Sequence, residues 1–448
     1  MGSADILPVI DLVRKNVLFV EDGNHGQHRP RQNEFVAKGG IPFIRPPDLK
    51  DGRVDFENCG FINESGFARV RKGIGRPGDI ILTHRATVGR MAITGSDAPS
   101  VFVTNPGTTI WRSLDQKVLN QRYLYFYMNS SLFLDRLLSE VGHTSTFDYV
   151  SLTQQRGLPV LLPPIDQQAL IANILGSIDD KIDLNYKITD TLDNAVKALF
   201  KSWFLDFDPT ISKAKGEPTG LPNAIDALFP GSLEQSEIGE IPSGWKLTSV
   251  YDLADYINGA SHSSKILNTS RLGYPVIKIN ELKNGFTDQT KYWNEEFKEK
   301  HLIKNGDILF SWSGNPDTSI GTFIWSKNDG LLNQHIFKVK PLNREWRSFI
   351  ISVLRSNQRV FADIARNKQT TGLGHVTVKD LKEMMCPIAP DTVMKAFANA
   401  TDDILQRSQN STLEIDLLTD LRDVLLPKLI SGELRIPDAE KMLEEVGI

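Results

Sequence analysis

The chain has 448 residues, 40% of them hydrophobic, and a formal net charge of −4. That length exceeds one compact core and points to two or three folded domains. The composition argues against a membrane span and a disulfide framework. No stretch approaches twenty apolar residues, and the two cysteines, Cys59 and Cys386, lie far apart without metal-ligand spacing, as suits buried thiols in a reducing cytoplasm.

The N-terminal run MGSADILPVIDLV is broken by Asp5, Pro8 and Asp11, so it fails as a signal peptide. The runs IPFIRP and GDIILT that follow are short, β-branched and bounded by turn residues, which predicts strands. QRYLYFYMNSSLFLDRLLSEV has the period of an amphipathic helix. A narrow apolar seam then runs through Ile174, Ile178, Ile182, Asn185, Ile188, Leu192, Val196, Leu199 and Trp203, as in a long helix paired with another helix. Pro209 is expected to stop it, and the Pro, Gly and Ser-rich segment 210–243 reads as a connector. YPVIKI, GDILFSW and HIFKVK predict a second set of strands, and REWRSFIISVLRSNQRVFADIA a second amphipathic helix. A second seam runs through Phe397, Ala400, Ile404, Leu413, Leu417, Leu421, Val424 and Lys428, in a helix ending near Pro427 and SGEL. Each long helix spans about 40 residues, or roughly 60 Å.

These elements come twice. GIPFIRPPDLKDG at Gly40 returns as GYPVIKINELKNG at Gly273, and RPGDIILTHRATVGRMAI returns as KNGDILFSWSGNPDTSIGTFIW with four extra residues in its loop. The segment from Gly142 to Pro164 lies without gaps over Lys368 to Pro390, placing Val150 on Val376. Two copies are too few for a solenoid, so the chain is expected to be a duplicated unit of globular part plus helix. The first copy lacks the lead-in IPSGWKLTSVYDLADYINGAS of the second, and its opening strand is expected to be trimmed or differently built.

Charge is partitioned the same way. Residues 1–164 carry net +3 and 244–390 net +6, whereas 165–243 carry −7 and 391–448 carry −6. Basic globular parts on acidic helices suggest that a polyanion is met through the globular parts.

The motifs PPIDQQ leading into the first long helix, LFKSWF at its end and LRDVLLPKLISGEL near the C-terminus resemble the DNA-specificity subunits of type I restriction–modification systems over essentially the whole chain. The resemblance implies an α+β fold with two similar mixed α/β target-recognition domains, at 1–164 and 244–390. They are joined by two conserved helical regions, at 165–207 and 391–448, with the connector at 208–243. The helices are expected to form an antiparallel coiled coil of pseudo-two-fold symmetry. It implies further that each domain reads one half of a split double-stranded DNA target, while the helices dock two methyltransferase subunits that can recruit two motor-nuclease subunits.

The repeat itself points to the reading residues, because the loop after GDIILT differs from the loop after GDILF while the strands before them match. Loops that vary on a kept scaffold suit recognition. Candidates in the first copy are Arg29, Arg31, His84, Arg85, Thr144, Ser145 and Thr146. In the second they are Lys278, Asn280, Ser311, Trp312, Ser313, Asn315, Gln334, His335, Gln369, Thr370 and Thr371. Arg and Lys suit phosphate or guanine, Asn and Gln adenine, and Ser and Thr either role; Trp312 would pack beneath its loop. Asn185 and Asn410 are one residue apart in the repeat alignment, and an Asn in an apolar seam fixes register, so the two are expected to face each other.

Catalytic motifs are absent. No His is followed by Glu, and neither a GxxxxGK(S/T) loop nor a GxSxG elbow occurs. No Asn or Asp followed by Pro-Pro and an aromatic residue marks a flipped-base pocket. The expectation is a non-catalytic reader without cofactor or metal, leaving S-adenosylmethionine, ATP and Mg²⁺ to partner subunits. The alternative is a site-specific nuclease or methyltransferase with an unrecognised active site.

Overall fold

The computed structural model describes residues 4–143, 148–369 and 373–445. They divide into two compact units, Met1–Ile182 with Leu418–Ile448, and Asp183–Leu417. Each unit therefore takes a globular part together with a portion of both long helices, a different division from one of domain followed by helix. Among the described residues no helix is long and apolar enough to cross a membrane.

In the first unit one antiparallel sheet has the order Met91–Ile93, Ile80–Thr83, Thr108–Ser113, Leu18–Asp22. A second sheet has the order Phe35–Val36, Gly60–Ile62, Ile41–Ile44, Phe102–Thr104, Ile74–Gly75, with its third and fourth strands parallel. The second unit repeats this plan. Its antiparallel sheet is Gly321–Ile324, Ile308–Ser311, Ile336–Pro341, Ala254–Asn258. Its other sheet is Tyr292–Trp293, Tyr274–Ile277, Gly330–Leu332, Leu302–Ile303, again with the middle pair parallel. An apolar cluster packs between these sheets in each unit, with Ile44, Leu49, Ile81 and Phe102 in one and Ile277, Ile303, Leu309, Leu332 and Trp325 in the other.

The repeated GD dipeptide has a physical reason. Gly78 and Gly306 sit at φ +87° and +91° with open space around them, so the turn demands glycine for its conformation and not for room. The next residue closes the turn: the Asp79 carboxylate accepts from the Arg76 backbone N–H at 2.8 Å, and Asp307 from Lys304 at 2.7 Å. Each aspartate also pairs with a cation on the neighbouring strand. Asp79, fully buried, is gripped at both oxygens by Arg112 at 2.6 Å, and Asp307 pairs with Lys338 at 2.7 Å.

The first copy does have an opening strand. Asp5–Pro8 pairs antiparallel with Pro159–Leu162, as Lys246–Ser249 pairs with Met385–Ile388. The signal for it was present, since Val9, Asp11 and Leu12 stand after this strand where Val250, Asp252 and Leu253 stand after the other. Each predicted amphipathic helix is two helices. They are Gln121–Asn129 and Ser131–Ser139, then Arg347–Ser356 and Gln358–Asn367. At the breaks the Ser130 hydroxyl donates back to Tyr127 O and the Asn357 amide to Val353 O, local bonds that compete with helix propagation.

The long helices are Ile165–Phe200 and Asp391–Ser431. In the first unit they pair through Arg422, which donates to Asp179 at 3.0 Å. In the second unit Ser408 donates to Asp193 at 3.0 Å. Within the second unit Asp193 meets Ser408 and, further along, Phe200 meets Phe397, so the chain advances on one helix as it retreats on the other, the register of an antiparallel pair. The seam of the first helix is as predicted at Ile174, Ile178, Ile182, Asn185 and Val196. In the second helix the seam lies one residue later than the pattern suggested: Leu405, Ser408, Ile415, Leu418, Leu425 and Leu429 are buried, whereas Leu417 is 69% and Val424 54% exposed. Neighbouring apolar pairs such as Leu417-Leu418 and Val424-Leu425 allow either phase. Asn410 is exposed and accepts a bond from Gln406 on its own helix at 3.4 Å, so it does not face Asn185. Asn185 is buried, and its amide nitrogen has no partner among the described residues.

Pro209 begins a helix where it was expected to end one. The first long helix runs into a π-turn, Lys201–Leu205, Phe207 turns left-handed at φ 54°, and Pro209 stands in the first turn of helix Asp208–Lys215. The π-turn seats Trp203 and Phe204 against Phe229, Trp245, Phe349 and Phe397 with ring centroids 4.8–5.9 Å apart, which accounts for LFKSWF. The connector is ordered. Lys213 donates to the carbonyls of Asp226 and Phe229, and Leu233–Ser236 forms a hairpin with Gly239–Pro242.

Arg112→Ala would leave the buried Asp79 carboxylate unpaired and should destabilise the first unit by about 3–5 kcal/mol, read as lost hydrogen-exchange protection in strands 80–83 and 108–113. Asn185→Leu removes an unsatisfied buried amide and should stabilise the second unit by about 1 kcal/mol, while Asn410→Leu at an exposed position should change little. Chemical denaturation of the two variants, followed by exchange in the second unit, checks both.

Candidate nucleic-acid interface

In each unit the second strand of the antiparallel sheet leads into a corner held by main-chain bonds. After Ile80–Thr83, the His84 N–H donates to Gly107 O at 3.0 Å and its carbonyl accepts from Val150 N–H at 2.9 Å. After Ile308–Ser311, Trp312 takes the equivalent place, donating to His335 O at 3.3 Å and accepting from Val376 N–H at 2.8 Å. The next residues also correspond, with Arg85 bridged to Tyr149 as Ser313 is to His375. The main chain of the corner is duplicated, and its side chains are not.

In the first corner His84 is only 8% exposed. Its Nδ1 lies 3.1 Å from Val150 O and its Nε2 3.1 Å from Pro106 O, so it ties strands together and does not present its ring to solvent, contrary to its expected place among the reading residues. Burial pushes the ring below the ordinary histidine range, against the opposite pull of the two carbonyls and Asp22. A neutral imidazole donates one N–H, so one carbonyl is served and the other is only approached. Arg85, Ala86 and Thr87 are exposed beyond it. Ala86 is held left-handed at φ 65° while its N–H donates to Asp148 O at 2.9 Å.

The second corner is built from aromatic and polar groups. Trp312 donates to Asn258 Oδ1 at 3.2 Å and packs against the rings of His335 and Phe337, 5.6 and 5.7 Å away. Gln334 lies 3.3 Å from His335 Nε2. The Asn315 side chain accepts from the N–H groups of Asp317 and Thr318 at 3.0 and 3.1 Å, a turn that exposes the loop tip, and Asp317 pairs with Arg366 at 2.6 Å. Trp312, Gln334 and His335 are thus gathered in one place, with Ser313 and Asn315 following Trp312 in the loop. Ser311 is fully buried on the strand and faces away from solvent.

The other candidates are more scattered. Lys278 and Asn280 are exposed at the start of helix Ile279–Asn284, where the Lys278 N–H donates to Glu281 at 3.1 Å. A Cβ added at Gly314 would lie 3.4 Å from Ile279, so this short helix borders the loop. Arg29 and Arg31 are exposed beside the turns 26–28 and 32–34, and Gln369 is exposed at the end of the 358–367 helix. Thr144, Ser145, Thr146, Thr370 and Thr371 lie outside the described residues. Sequence reasoning missed Tyr149, His375, Asn258 and Arg366. The ungapped repeat alignment already placed Tyr149 on His375, next to Val150 and Val376. Nothing in the sequence singled out Asn258.

The duplicated topology has its counterpart in the comparisons. The model of the type I restriction modification DNA specificity domain matches residues 21–194 and again 242–410. The chain belongs to this family. Among curated relatives, the type I restriction enzyme MjaIX specificity subunit of Methanocaldococcus jannaschii is 25% identical, with 89% of this chain and 88% of that protein covered. The HindI specificity subunit of Haemophilus influenzae is 23% identical, with 92% and 98% covered. The crystal structure of a type I restriction–modification S subunit from M. genitalium has the same fold, with a TM-score of 0.56 at 14% identity, covering 95% of this chain and 96% of that one.

Within the two specificity domains, no group of three or more His, Cys, Asp or Glu among the described residues is arranged to hold a metal ion. Burial pushes the Cys59 thiol up to about 11 and the Cys386 thiol to about 12, so both stay protonated at neutral pH.

His84 makes the first domain sensitive to acid. Its folded pKa lies below the unfolded value of about 6.5, so below that pH the unfolded chain binds a proton that the fold resists. Stability is full above pH 6.5 and is lost as pH falls toward the folded pKa. In thermal melts of the first unit, the decline between pH 6.5 and 5 should be shallower for His84→Gln than for the unaltered chain.

Proposed function

We propose that this chain is the DNA-reading specificity subunit of a type I restriction–modification assembly and performs no chemistry itself. The observation that carries the reading is the pair of corners at His84–Gly89 and Trp312–Ser319. The main-chain bonds that open each corner correspond, while the side chains and the loop lengths differ, which suits two readers of unlike half-sites. A duplicated module can meet two groove faces about one helical turn apart, and unlike loops make the target asymmetric. Exposed Arg85 and Arg29 in one domain and Lys278, Asn315 and His335 in the other offer phosphate and base-edge partners.

In this reading the long helices serve as the spacer between half-sites and as the docking surface for two methyltransferase subunits, which recruit motor-nuclease subunits. Exposed apolar side chains on those helices support a docking role: Leu184 and Leu417 in the second unit and Val424 in the first. S-adenosylmethionine, ATP and Mg²⁺ belong to the partners, and the assembly works on cytoplasmic DNA.

Methylome sequencing of a host without modification systems, expressing this chain with and without its methyltransferase subunit, tests the reading. A split motif methylated in both halves should appear only with both proteins present; methylation or cleavage by this chain alone would place an active site in it. Replacing residues 84–89 should then alter one half of the motif and replacing 312–319 the other.

A further inference from the structure

Inside the second unit, the globular part meets its helix segments in two different ways. At one end the contact is a packed aromatic cluster, with Phe200 and Phe204 of the first helical region against Phe349 of the globular part and Phe397 of the second long helix. Close-packed rings of this kind fix that end of the contact. Further along the helices the contact is polar. Arg355, near the end of helix Arg347–Ser356, donates to Asp193 Oδ2 at 3.2 Å, while the other oxygen of Asp193 accepts from the buried Ser408 hydroxyl at 3.0 Å. Lys327, just past strand Gly321–Ile324, donates to Asp416.

Ser408 and Asp416 are eight residues apart on one helix, about 12 Å along its axis. A cavity of about 350 Å³ runs between the two ties, lined among others by Thr189, Thr322 and Gln409. The Thr189 and Thr322 hydroxyls and the Gln409 amide nitrogen have no partner among the described residues. The surface between the ties is therefore polar and loosely filled, so beyond the buried core the ties carry the contact between globular part and helices.

We infer that Asp193 is a positioning residue that sets the tilt of the second recognition domain on the long helices, and with it the spacer length the protein accepts between half-sites. The inference rests on the DNA-reading function proposed above. Asp193 is suited to this because it is bonded at once to the globular part, through Arg355, and to the opposite helix, through Ser408. It fixes helix register and domain docking with one carboxylate. A tilt that displaces the reading corner by about 3.4 Å corresponds to one base pair of spacer.

The test uses the assembled methyltransferase on DNA whose spacer is the native length or one base pair shorter or longer. Asp193→Ala and Arg355→Ala should raise methylation at the off-length spacers relative to the native one by about threefold, the scale of an exposed ion pair, and Asp193→Glu should restore the native preference. A purely structural role would lower methylation at every spacer alike, and that result would overturn the inference. Absence of any split target with the unaltered chain would instead overturn the DNA-reading function. A second readout needs no DNA: spin labels on Arg407→Cys and Lys300→Cys, both within the second unit, report the tilt directly. The labels are introduced in a Cys59→Ser, Cys386→Ser background, so that only the two new thiols react. Asp193→Ala should broaden the distance distribution, and an unchanged distribution would reject the positioning role even if the substitution weakened DNA methylation.

Discussion

Asp179 and Asp193 project from one long helix and are each met by a side chain of the other, Arg422 in the first unit and Ser408 in the second. The constraint they impose is register. An apolar seam alone specifies antiparallel helices poorly, because a shift by one heptad buries nearly the same area. Hydrogen-bonded carboxylates remove that freedom, since a slipped pair would leave a half-buried charge without its donor. At Asp179 burial pushes the carboxyl above the usual carboxylate range despite the nearby Arg422 guanidinium, a sign that the charge costs energy to place there. Such a group contributes specificity more than stability.

The same carboxylates give the charge partition a second meaning. The acidic helices and basic globular parts suggest phosphate binding through the globular parts, but several of those cations are used internally. Arg122 donates to Asp180 at 3.0 Å in the first unit, and Arg355 and Lys327 reach Asp193 and Asp416 in the second. Acid on the helices is thus a docking code for each domain as well as a surface that would repel DNA. The net +6 of residues 244–390 overstates the charge free to meet a phosphate, because cations neutralised within the fold release fewer counterions.

What could be read in the sequence was whatever repeats or has a period. The strands, their duplication and the long helices followed from repeated segments and a 3.6-residue stripe, whereas the strand order and the parallel pair in one sheet of each unit did not. Phase was harder. The run IDLLTDLRDVLLPKLI holds apolar neighbours at nearly every turn, so periodicity gives two seams of similar quality and only the partner helix chooses between them. Asn410 was misplaced for the same reason. His84 was taken as a reader because it opens the loop that differs between the two copies, yet two carbonyls from distant segments enclose it, a long-range fact with no local signature. In the second corner Trp312 was named because the repeat marks the loop after GDILF, whereas Asn258, on a strand that carries no repeated sequence motif, was not.

The corners show how one scaffold can carry unlike side chains. His84 and Trp312 are chemically unrelated, but the bonds that fix their positions are made by their backbone N–H and C=O groups, to Gly107 and Val150 in one domain and to His335 and Val376 in the other. Every residue except proline supplies the same two main-chain groups, so the side chain can change without loss of the turn. The supporting GD turn behaves in the opposite way. Gly78 and Gly306 need positive φ, and Asp79 and Asp307 must close the turn with their own carboxylates, so little substitution is tolerable there. Side-chain bonds therefore hold the base of each corner and main-chain bonds hold its tip. That division lets the side chains of the corner vary while the strand that leads into it stays fixed.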